Sequence, residues 1–340
     1  MVTLRPMTDA DVPGAVAAFD SGFLAMRARY GLPVTASSLQ NDRRRQNRTR
    51  HFLVTDPGGS WVADDDGTIV GMSQSFVREG YWVLSQLGAV PGRQGRGLGR
   101  ELLRLAHSHG DHRSPGTIQC SRDPEAMALY ADLGFSLHPV VAGWGPLRPG
   151  AVTRPTEVTR YEGDAVTEAH LDVVSGVDRS VRGSARTVDV KMMLRGEGTR
   201  LLLHEDQAYA VAMDDRIVTL VARTEESAAL VLRAMLAEAP PGETVEINWL
   251  TAGQQWAIAV LIQAGVELQP YGPVMVRACR GRRARTFRAA GTAKAPRSSG
   301  TGSTRPWAER PDVGRSRWPL RSTPALPTPP GRRCETAGRP

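Results

Sequence analysis

Leu87-Gly-Ala-Val-Pro-Gly-Arg-Gln-Gly-Arg-Gly-Leu-Gly-Arg100 is the most informative stretch of this 340-residue sequence. It reads as the end of a strand, a proline stop, a glycine-rich loop and the start of a helix. Glycines let the loop backbone turn tightly, so several N–H groups can point into one space. The helix that follows adds the positive end of its dipole. The stretch therefore suits a pyrophosphate, and Arg93, Arg96 and Arg100 add positive charge nearby.

Two common phosphate-binding motifs do not fit this loop. The Lys-Ser/Thr pair of a P-loop is missing from it, and so is the ribose-binding acid that a dinucleotide site uses. A glycine-rich turn that only caps the helix is the structural alternative. The order of strand, loop and helix favours a binding function over that alternative.

Elements of both types surround the loop and predict a mixed α/β domain over residues 1–147. Strand patterns lie at 2–5, 60–63, 68–76, 81–90 and 117–121. Helix patterns begin near residue 8, cover part of 36–50 and follow the loop from residue 98. The last helix has clear ends, because Asp123 can cap it, Pro124 suits its first turn and Gly134 suits its stop.

Two motifs of this domain resemble those of the GNAT acetyltransferases. Gln94-Gly-Arg-Gly-Leu-Gly99 matches the family signature Gln/Arg-x-x-Gly-x-Gly/Ala, and the preceding Ala89-Val-Pro91 resembles its Val-x-Pro. Downstream, Asp123-Pro-Glu-Ala-Met-Ala-Leu-Tyr-Ala-Asp-Leu-Gly-Phe135 resembles Asn-x-x-Ala-x-x-x-Tyr-x-x-x-Gly-Phe. Residues 4–11 look like the family's first strand and helix, so the resemblance covers essentially all of 1–147. It implies an α/β (α+β) fold with a mixed, mostly antiparallel sheet flanked by helices.

The resemblance also implies an acetyl-CoA site without a metal. In this family the strand before the loop splays from its neighbour, and pantetheine binds the backbone in the gap, here near Leu87 and Ala89. A backbone N–H on that strand would polarise the thioester carbonyl. Pyrophosphate would bind the amides of the loop and first helical turn, at Gln94, Gly95, Arg96, Gly97, Leu98, Gly99 and Arg100. Asp123 stands in the place of the family's asparagine and is also expected near the cofactor.

Tyr130 matches the tyrosine that commonly acts as the catalytic acid in this family. The implied reaction moves the acetyl group to an amine by direct attack in a ternary complex, and an acid then protonates the leaving thiolate. A phenol with a pKa of about 10 can protonate a thiolate whose conjugate acid has a pKa of about 8.5. The alternative is that Tyr130 is only a core aromatic residue on an apolar helix face.

Two departures from the family pattern favour another function, a non-catalytic acyl-CoA-binding or sensor protein. Asp123 adds a negative charge near the cofactor, although an aspartate also caps a helix. The strand at 81–90 lacks the glutamate that many members use as a general base, and offers only Ser85 and Gln86 as polar interior side chains. Glu79 is expected to be a solvated hairpin residue. Two routes without a base on this strand stay open: transfer of the amine proton through a chain of water molecules, or an acceptor amine that arrives already neutral.

Residues 156–279 repeat the order of elements more faintly after a proline- and glycine-rich linker at 148–155. Strand patterns lie at 201–203, 208–213, 217–222, 244–249 and 274–277, and helix patterns cover 225–238 and end at Gly265. Gly134-Phe135 and Gly265-Val266 occupy matching places, which indicates a diverged tandem duplication. The second copy has no glycine at 222–226 and has Leu261 in the place of Tyr130. It is therefore expected to be degenerate, to pack on the first copy and to help form the acceptor cleft.

The net positive charge of the chain comes from its last 61 residues. Residues 280–340 hold 15 basic and 3 acidic side chains, a net charge of +12, whereas residues 1–279 carry a net charge of −4. Nine prolines, seven glycines and no apolar periodicity predict a disordered, basic Arg/Pro-rich tail, although an artefactual extension of the reading frame would look similar. Nucleic-acid binding is therefore expected only through the tail, if anywhere.

The remaining patterns predict a cytoplasmic protein without a membrane partner. The longest apolar run, at 256–262, is too short to cross a bilayer, and the N-terminus does not resemble a signal peptide. Three widely spaced cysteines, Cys120, Cys279 and Cys334, favour a reducing compartment. The histidines of the run 107–112 fit no zinc spacing and are expected at a solvated helix end.

The acceptor amine is not identified by the sequence and is either a small molecule or a peptide. The basic run at 43–50 lies in a region that borders the acceptor pocket of similar proteins. Both an acidic acceptor and a solvated helix face therefore stay open for this run. A homodimer also stays open.

Overall fold

The computed structural model describes residues 1–31, 42–95, 97–111, 114–213, 216–239 and 242–278, without the side chains of residues 42, 216 and 217. The chain divides into two units, Met1–Ser298 and Ser299–Pro340. The second unit and the whole of the predicted tail, 280–340, lie outside the described residues. No helix among those described is both long and apolar enough to cross a membrane.

The two halves of the first unit contain the same elements in the same order. The first half has β1 (Val2–Pro6), α1 (Val12–Arg29), α2 (Asp42–Thr55), β2 (Ser60–Asp65), β3 (Thr68–Arg78), β4 (Tyr81–Ala89), α3 (Leu98–His107), β5 (Gly116–Gln119), α4 (Pro124–Asp132), β6 (Ser136–His138) and β7 (Val140–Pro146). The second half has β8 (Thr159–Glu162), α5 (Glu168–Arg182), α6 (Thr187–Leu194), β9 (Thr199–His204), β10 (Ala208–Met213), β11 (Arg216–Ala222), α7 (Glu225–Leu236), β12 (Thr244–Thr251), α8 (Gln255–Gln263), β13 (Glu267–Pro270) and β14 (Val274–Arg277). This repetition supports the predicted duplication, and in the second half it adds β8, α5, α6 and β13 to the elements expected from the sequence.

Matching backbone details also relate the two halves. Gly134 and Gly265 both follow a helix with a left-handed backbone, at φ of 82° and 84°. The next residue closes the helix end in both copies: Phe135 N–H donates to the carbonyl of Tyr130, and Val266 N–H donates to that of Leu261. Leu261 therefore occupies the structural position of Tyr130, as the sequence predicts.

The halves exchange their last strands. The first sheet has the order β1-β2-β3-β4-β5-β14-β6, so a strand from the end of the second half lies between β5 and β6. In return, β7 lies between β12 and β13 of the second half, while β11-β10-β9-β8 form a separate sheet. The predicted boundary at 147 separates the two copies along the sequence. In the fold, however, each copy contributes a strand to a sheet of the other. The division into 1–147 and 156–279 therefore stays a prediction.

Helices cover both faces of the first sheet, as the mixed α/β prediction expects. Residues of β3 alternate between the two faces: Met72 packs in the cluster formed by α1, and Ser73 Oγ donates to the carbonyl of Leu102 on α3. Gln74 Nε2 then donates to the carbonyl of Thr49 on α2. Helices α1 and α2 thus lie on one face, and α3 lies on the other. All pairs in this sheet are antiparallel except β4 with β5.

A buried ion-pair network joins the halves. Arg78 of β3 donates to Asp189 of α6 at 2.7 and 3.0 Å and to Asp56 at 2.7 Å. His51 Nε2 of α2 lies 2.8 Å from the same Asp189 carboxylate, which is only 2% exposed. Because each carboxylate has several partners, the network satisfies charges that would be costly to bury alone.

The expectation that Glu79 is a solvated hairpin residue was incomplete. Its side chain is 41% exposed, but it accepts hydrogen bonds from Arg179, at 2.7 Å, and from the N–H of Ala185 at 2.9 Å. Both partners belong to the second half. The sequence could not predict these contacts, because the residues lie about 100 positions apart.

Candidate active site

Strands β4 and β5 separate partway along their length. Their parallel pairing covers Trp82–Gly116, Val83–Thr117 and Leu84–Ile118, and it ends there. The register of β4 against β3 shifts directly afterwards, since Ser75 is opposite Leu84 and Gln74 is opposite Gln86. Ser85 is therefore the extra residue of a β-bulge. From this bulge to Ala89, one edge of β4 faces a gap.

The backbone of Leu87 and Ala89 faces the gap. Val90 N–H donates to the carbonyl of Val70 on β3, which sets the alternation of hydrogen-bonded pairs along the strand. The N–H and C=O groups of Leu87 and Ala89 consequently point away from β3. These are the two residues expected to bind pantetheine. The carbonyl of Ala89 already accepts a hydrogen bond from Gln94 Nε2 at 2.9 Å, which leaves the groups of Leu87 and the N–H of Ala89 for a ligand.

The loop after β4 has the backbone that its glycines allow. Gly95 and Gly97 are left-handed, at φ of 72° and 83°, and an added Cβ at either would meet no atom within 4 Å. Gly97 is the N-cap of α3, so the N–H groups of Leu98, Gly99 and Arg100 in the first turn have no acceptor within the helix. These donors and the helix dipole form an anion-binding end. Arg96 lies outside the described residues.

The loop arginines contribute less free charge than the sequence suggests. Arg93 pairs with Asp65, and Arg100 Nη2 lies 3.0 Å from Asp132. Both arginines are therefore balanced by a nearby carboxylate. Backbone N–H groups, more than these two side chains, provide the attraction for an anion in the described part of the loop.

Asp123 caps α4. Its Oδ1 accepts hydrogen bonds from the N–H of Glu125 at 3.0 Å and from the hydroxyl of Tyr30 at 3.2 Å. The first contact is the predicted N-cap, and the second fixes the end of α1 against the start of α4. Binding of the cofactor by Asp123 stays a prediction.

Tyr130 lies on α4 in the core cluster between the helix and the sheet, and is 7% exposed. It packs with residues of both separating strands, among them Leu84 of β4 and Ile118 of β5. Burial raises the pKa of Tyr130 above its usual value, and the neighbouring Cys120 and Asp123 raise it further. The phenol is therefore neutral at physiological pH and able to donate a hydrogen bond.

Helix α2 reaches the bulge from the opposite face of the sheet. Arg48 Nη2 donates to the carbonyl and the hydroxyl of Ser85, at 3.1 Å each. The hydroxyl of Thr49 lies 3.3 Å from Oε1 of buried Gln86. The polar residues Ser85 and Gln86 are thus already engaged by α2. The basic run at 43–50 was the sequence signal for this contact, but only the fold selects Arg48 from it.

The expectation of a solvated helix end at the histidine run was wrong for His107. That residue is 7% exposed, packs edge-on against Trp82 and lies 2.6 Å from Arg277 Nη1 of β14. His109 lies 3.2 Å from Asp56, and His112 lies outside the described residues. The part of the chain that is described contains no group of three or more metal-ligating side chains.

In the second half, the segment that corresponds to the glycine loop differs in chemistry. Thr224 caps α7 by accepting a hydrogen bond from Ser227 N–H, and Glu225 and Glu226 occupy the first turn. Two carboxylates at this helix end would repel a pyrophosphate. This half therefore lacks the features of the first site.

The sequence model of the Acetyltransferase (GNAT) family matches residues 28–135, which include the gap, the glycine loop, α3 and α4. Residues 28–135 therefore carry the sequence pattern of the GNAT family. The resemblance carried by residues 94–99 and 123–135 is thereby confirmed, as is the predicted fold class.

Among characterised relatives, a mycothiol acetyltransferase of Streptomyces avermitilis is 33% identical over 88 residues. The similarity covers 24% of this chain and 29% of that protein. The chain thus matches less than a third of the length of this relative.

Two solved structures share the fold along most of the chain. A putative acetyltransferase from Pyrococcus horikoshii aligns over 82% of this chain and 89% of its own, with a TM-score of 0.62 and 18% identity. A tandem GNAT protein from the clavulanic acid biosynthesis pathway aligns over 83% of this chain and 100% of its own, with a TM-score of 0.51 and 17% identity. Both alignments extend well beyond residues 28–135 and support a tandem arrangement of the fold.

Proposed function

We propose that the first half transfers the acetyl group of acetyl-CoA to an amine by direct attack. The observation that carries this proposal is the parting of β4 and β5 beside a glycine-rich loop and the N-terminal end of α3. The gap has free backbone donors and acceptors for an extended chain at Leu87, and the helix end suits a pyrophosphate. The gap and the helix end follow one another along the chain, in the order in which the pantetheine and the pyrophosphate of coenzyme A would need them.

In this reaction the amine nitrogen forms a bond to the thioester carbon while the C–S bond breaks. A backbone N–H of β4 on the gap side would stabilise the negative charge that develops on the carbonyl oxygen. Tyr130 would donate a proton to the departing thiolate, from the α4 side of the sheet. The amine loses its own proton to water, since Ser85 and Gln86 are engaged by α2 and Glu79 by the second half.

The alternative function is acyl-CoA binding without catalysis. It is favoured by the same lack of a carboxylate base on β4 and by the carboxylate of Asp123 near the gap. Residues 148–155 and the second half would then serve as a scaffold or a response element. Turnover separates the two functions, because only the enzyme releases free coenzyme A when amines are present.

The first experiment is a calorimetric titration of acetyl-CoA into the full chain and into the variant Gly97→Glu. One-to-one binding is expected for the natural chain, and its loss in the variant, because a carboxylate at the helix N-terminus repels the pyrophosphate. Gly150→Glu is the matched control, since Gly150 is also left-handed with open space around it but lies in the linker. Normal affinity in Gly97→Glu would refute the loop assignment.

A panel of small amines and peptides then tests catalysis in the natural chain by release of the coenzyme A thiol. Turnover with any amine supports the transferase. Tight binding of acetyl-CoA without turnover across the whole panel would favour the non-catalytic alternative.

A further inference from the structure

Within the described residues Arg48 has no acidic partner, in contrast to Arg45, Arg50 and Arg78. Arg45 pairs with Asp20, Arg50 Nε lies 3.0 Å from Asp9, and Arg78 pairs with Asp189. Arg48 contacts only Ser85, through one of its three nitrogens. In the described part of the chain, no carboxylate lies within ion-pair distance of it. Its positive charge is therefore not balanced by any carboxylate of the described residues.

The guanidinium of Arg48 lies beside the bulge of β4 and keeps its charge there. The side chain is exposed to solvent, yet the protein around it and the nearby Arg45 lower its pKa to about 10. The guanidinium is still charged at neutral pH. Nε and Nη1 donate no hydrogen bond to the described residues. The guanidinium therefore retains donors for a planar ligand with two oxygens, such as a carboxylate.

The position of Arg48 relates it to the reacting atoms. Ser85 is the bulge residue at which β4 leaves β5, two positions before Leu87. Arg48 approaches this point from the face of the sheet that α2 covers. Tyr130 lies on the other face, with α4, on the side toward which the thiolate would leave. An amine that enters from the α2 face would attack the thioester from the side opposite to Tyr130. Any group held by Arg48 would belong to that amine.

We propose that Arg48 binds a carboxylate of the acceptor, and that the acceptor is an amine carrying a carboxylate close to its nitrogen, as in a free amino acid. This inference rests on the proposed acetyl transfer and adds the class of the acceptor. A peptide N-terminus has an amide in the place of that carboxylate and would lack the contact. A purely structural Arg48 would instead only fix the bulge through the Ser85 carbonyl.

The test compares amino acids with their own amides as acceptors of the full chain, at saturating acetyl-CoA. Rates are expressed per neutral amine, because an amide lowers the pKa of the neighbouring amine. The acids are expected to have a kcat/KM at least about tenfold above that of the amides, as a charge-assisted pair implies. Arg48→Gln is expected to raise KM for the acids by about tenfold or more and to leave the amides and the KM for acetyl-CoA unchanged.

Arg43→Gln is the control, since it removes the same charge from an exposed position of the same helix. Equal rates for acids and amides, or a preference that survives Arg48→Gln, would overturn the proposal. A loss of activity toward acids and amides alike in Arg48→Gln would also overturn it and indicate the structural role.

Calorimetry keeps this outcome separate from failure of the proposed function. If acetyl-CoA binds the natural chain but no amino acid is acetylated, the assignment of the acceptor is wrong and the cofactor site stands. If acetyl-CoA does not bind, both proposals fail.

Discussion

Tyr130 and Leu261 show how one side chain can separate two similar halves. Both residues precede a left-handed glycine by four positions, and both carbonyls accept the hydrogen bond that closes the helix. Only Tyr130 has a hydroxyl. Its raised pKa means that the phenol stays protonated through the range in which an amine acceptor loses its proton. The same side chain is thus a neutral donor under all conditions in which the amine can attack.

The variant Tyr130→Phe tests this residue. Loss of the acid is expected to lower kcat by about 10²-fold, at the low end for proton transfer catalysis, with little change in KM for acetyl-CoA. Steady-state kinetics with the best amine of the panel provide the measurement.

Tyr209→Phe is the control, because it removes a fully buried hydroxyl from the second half, where the group donates to Asp178 at 2.7 Å. It is expected to reduce stability and to leave kcat unchanged. An unaltered kcat in Tyr130→Phe would make Tyr130 a core residue only.

At the scale of elements, α4 is defined by local signals that work together. Pro124 starts the helix, Asp123 caps it, and Gly134 ends it with a left-handed backbone. The cap has a second contact, with the hydroxyl of Tyr30 at the end of α1. The helix that presents Tyr130 is therefore fixed at its start both locally and by a distant element.

Two substitutions separate the capping role of Asp123 from its charge. Asp123→Ala is expected to lower the free energy of unfolding by about 1 kcal/mol through loss of the cap. Asp123→Asn keeps an oxygen for the N–H of Glu125 and removes the charge, so it is expected to keep the stability. It is also expected to strengthen acetyl-CoA binding, because a carboxylate no longer faces an anionic ligand.

Chemical denaturation and calorimetry measure the two effects. Unchanged affinity in Asp123→Asn would mean that the carboxylate lies too far from the bound coenzyme to matter, and would remove Asp123 from the cofactor site.

At the scale of the whole molecule, exchange of β7 and β14 makes the two halves depend on one another. β14 completes the first sheet through pairs with β5 and β6, and Gly272 before it approaches the backbone at Cys120 so closely that a Cβ would lie 2.3 Å from the carbonyl oxygen. The sheet that carries the candidate site therefore includes a strand that is more than 130 residues away in sequence. Unfolding of one half is expected to unfold the other.

The network around Arg78 provides a test of this dependence. Arg78→Met would leave Asp189 and Asp56 buried with only histidine and hydroxyl or amide partners, and is expected to cost about 3–5 kcal/mol. Arg179→Met breaks the exposed pair with Glu79 between the same halves and is expected to cost much less, because solvent screens an exposed ion pair. Urea unfolding of both variants measures the difference, and equal losses would show that the buried network does not stabilise the junction.

Local patterns accounted for much of the fold, and for a defined reason. Glycine positions, helix caps and apolar periodicity depend on neighbours within a few residues, so α3, α4, α7 and α8 could be predicted from the sequence with little error in their bounds. Strands β8 and β13 and helices α5 and α6 were not predicted, although α5 has a capping box at Thr167 and a left-handed glycine, Gly183, at its end. The residues at 87–100, Asp123 and Tyr130 remain predictions as site residues, although their arrangement around one gap agrees with them.

The sequence alone determined the glycine loop, the capped helix that carries Tyr130 and the family pattern of residues 28–135, because each of these depends on short-range chemistry. Tertiary structure decided which strand completes each sheet, why His107 is buried and which arginine of the run 43–50 faces the gap. Those outcomes depend on contacts between residues far apart in the chain. No local periodicity records such contacts, since they form only when both halves pack together.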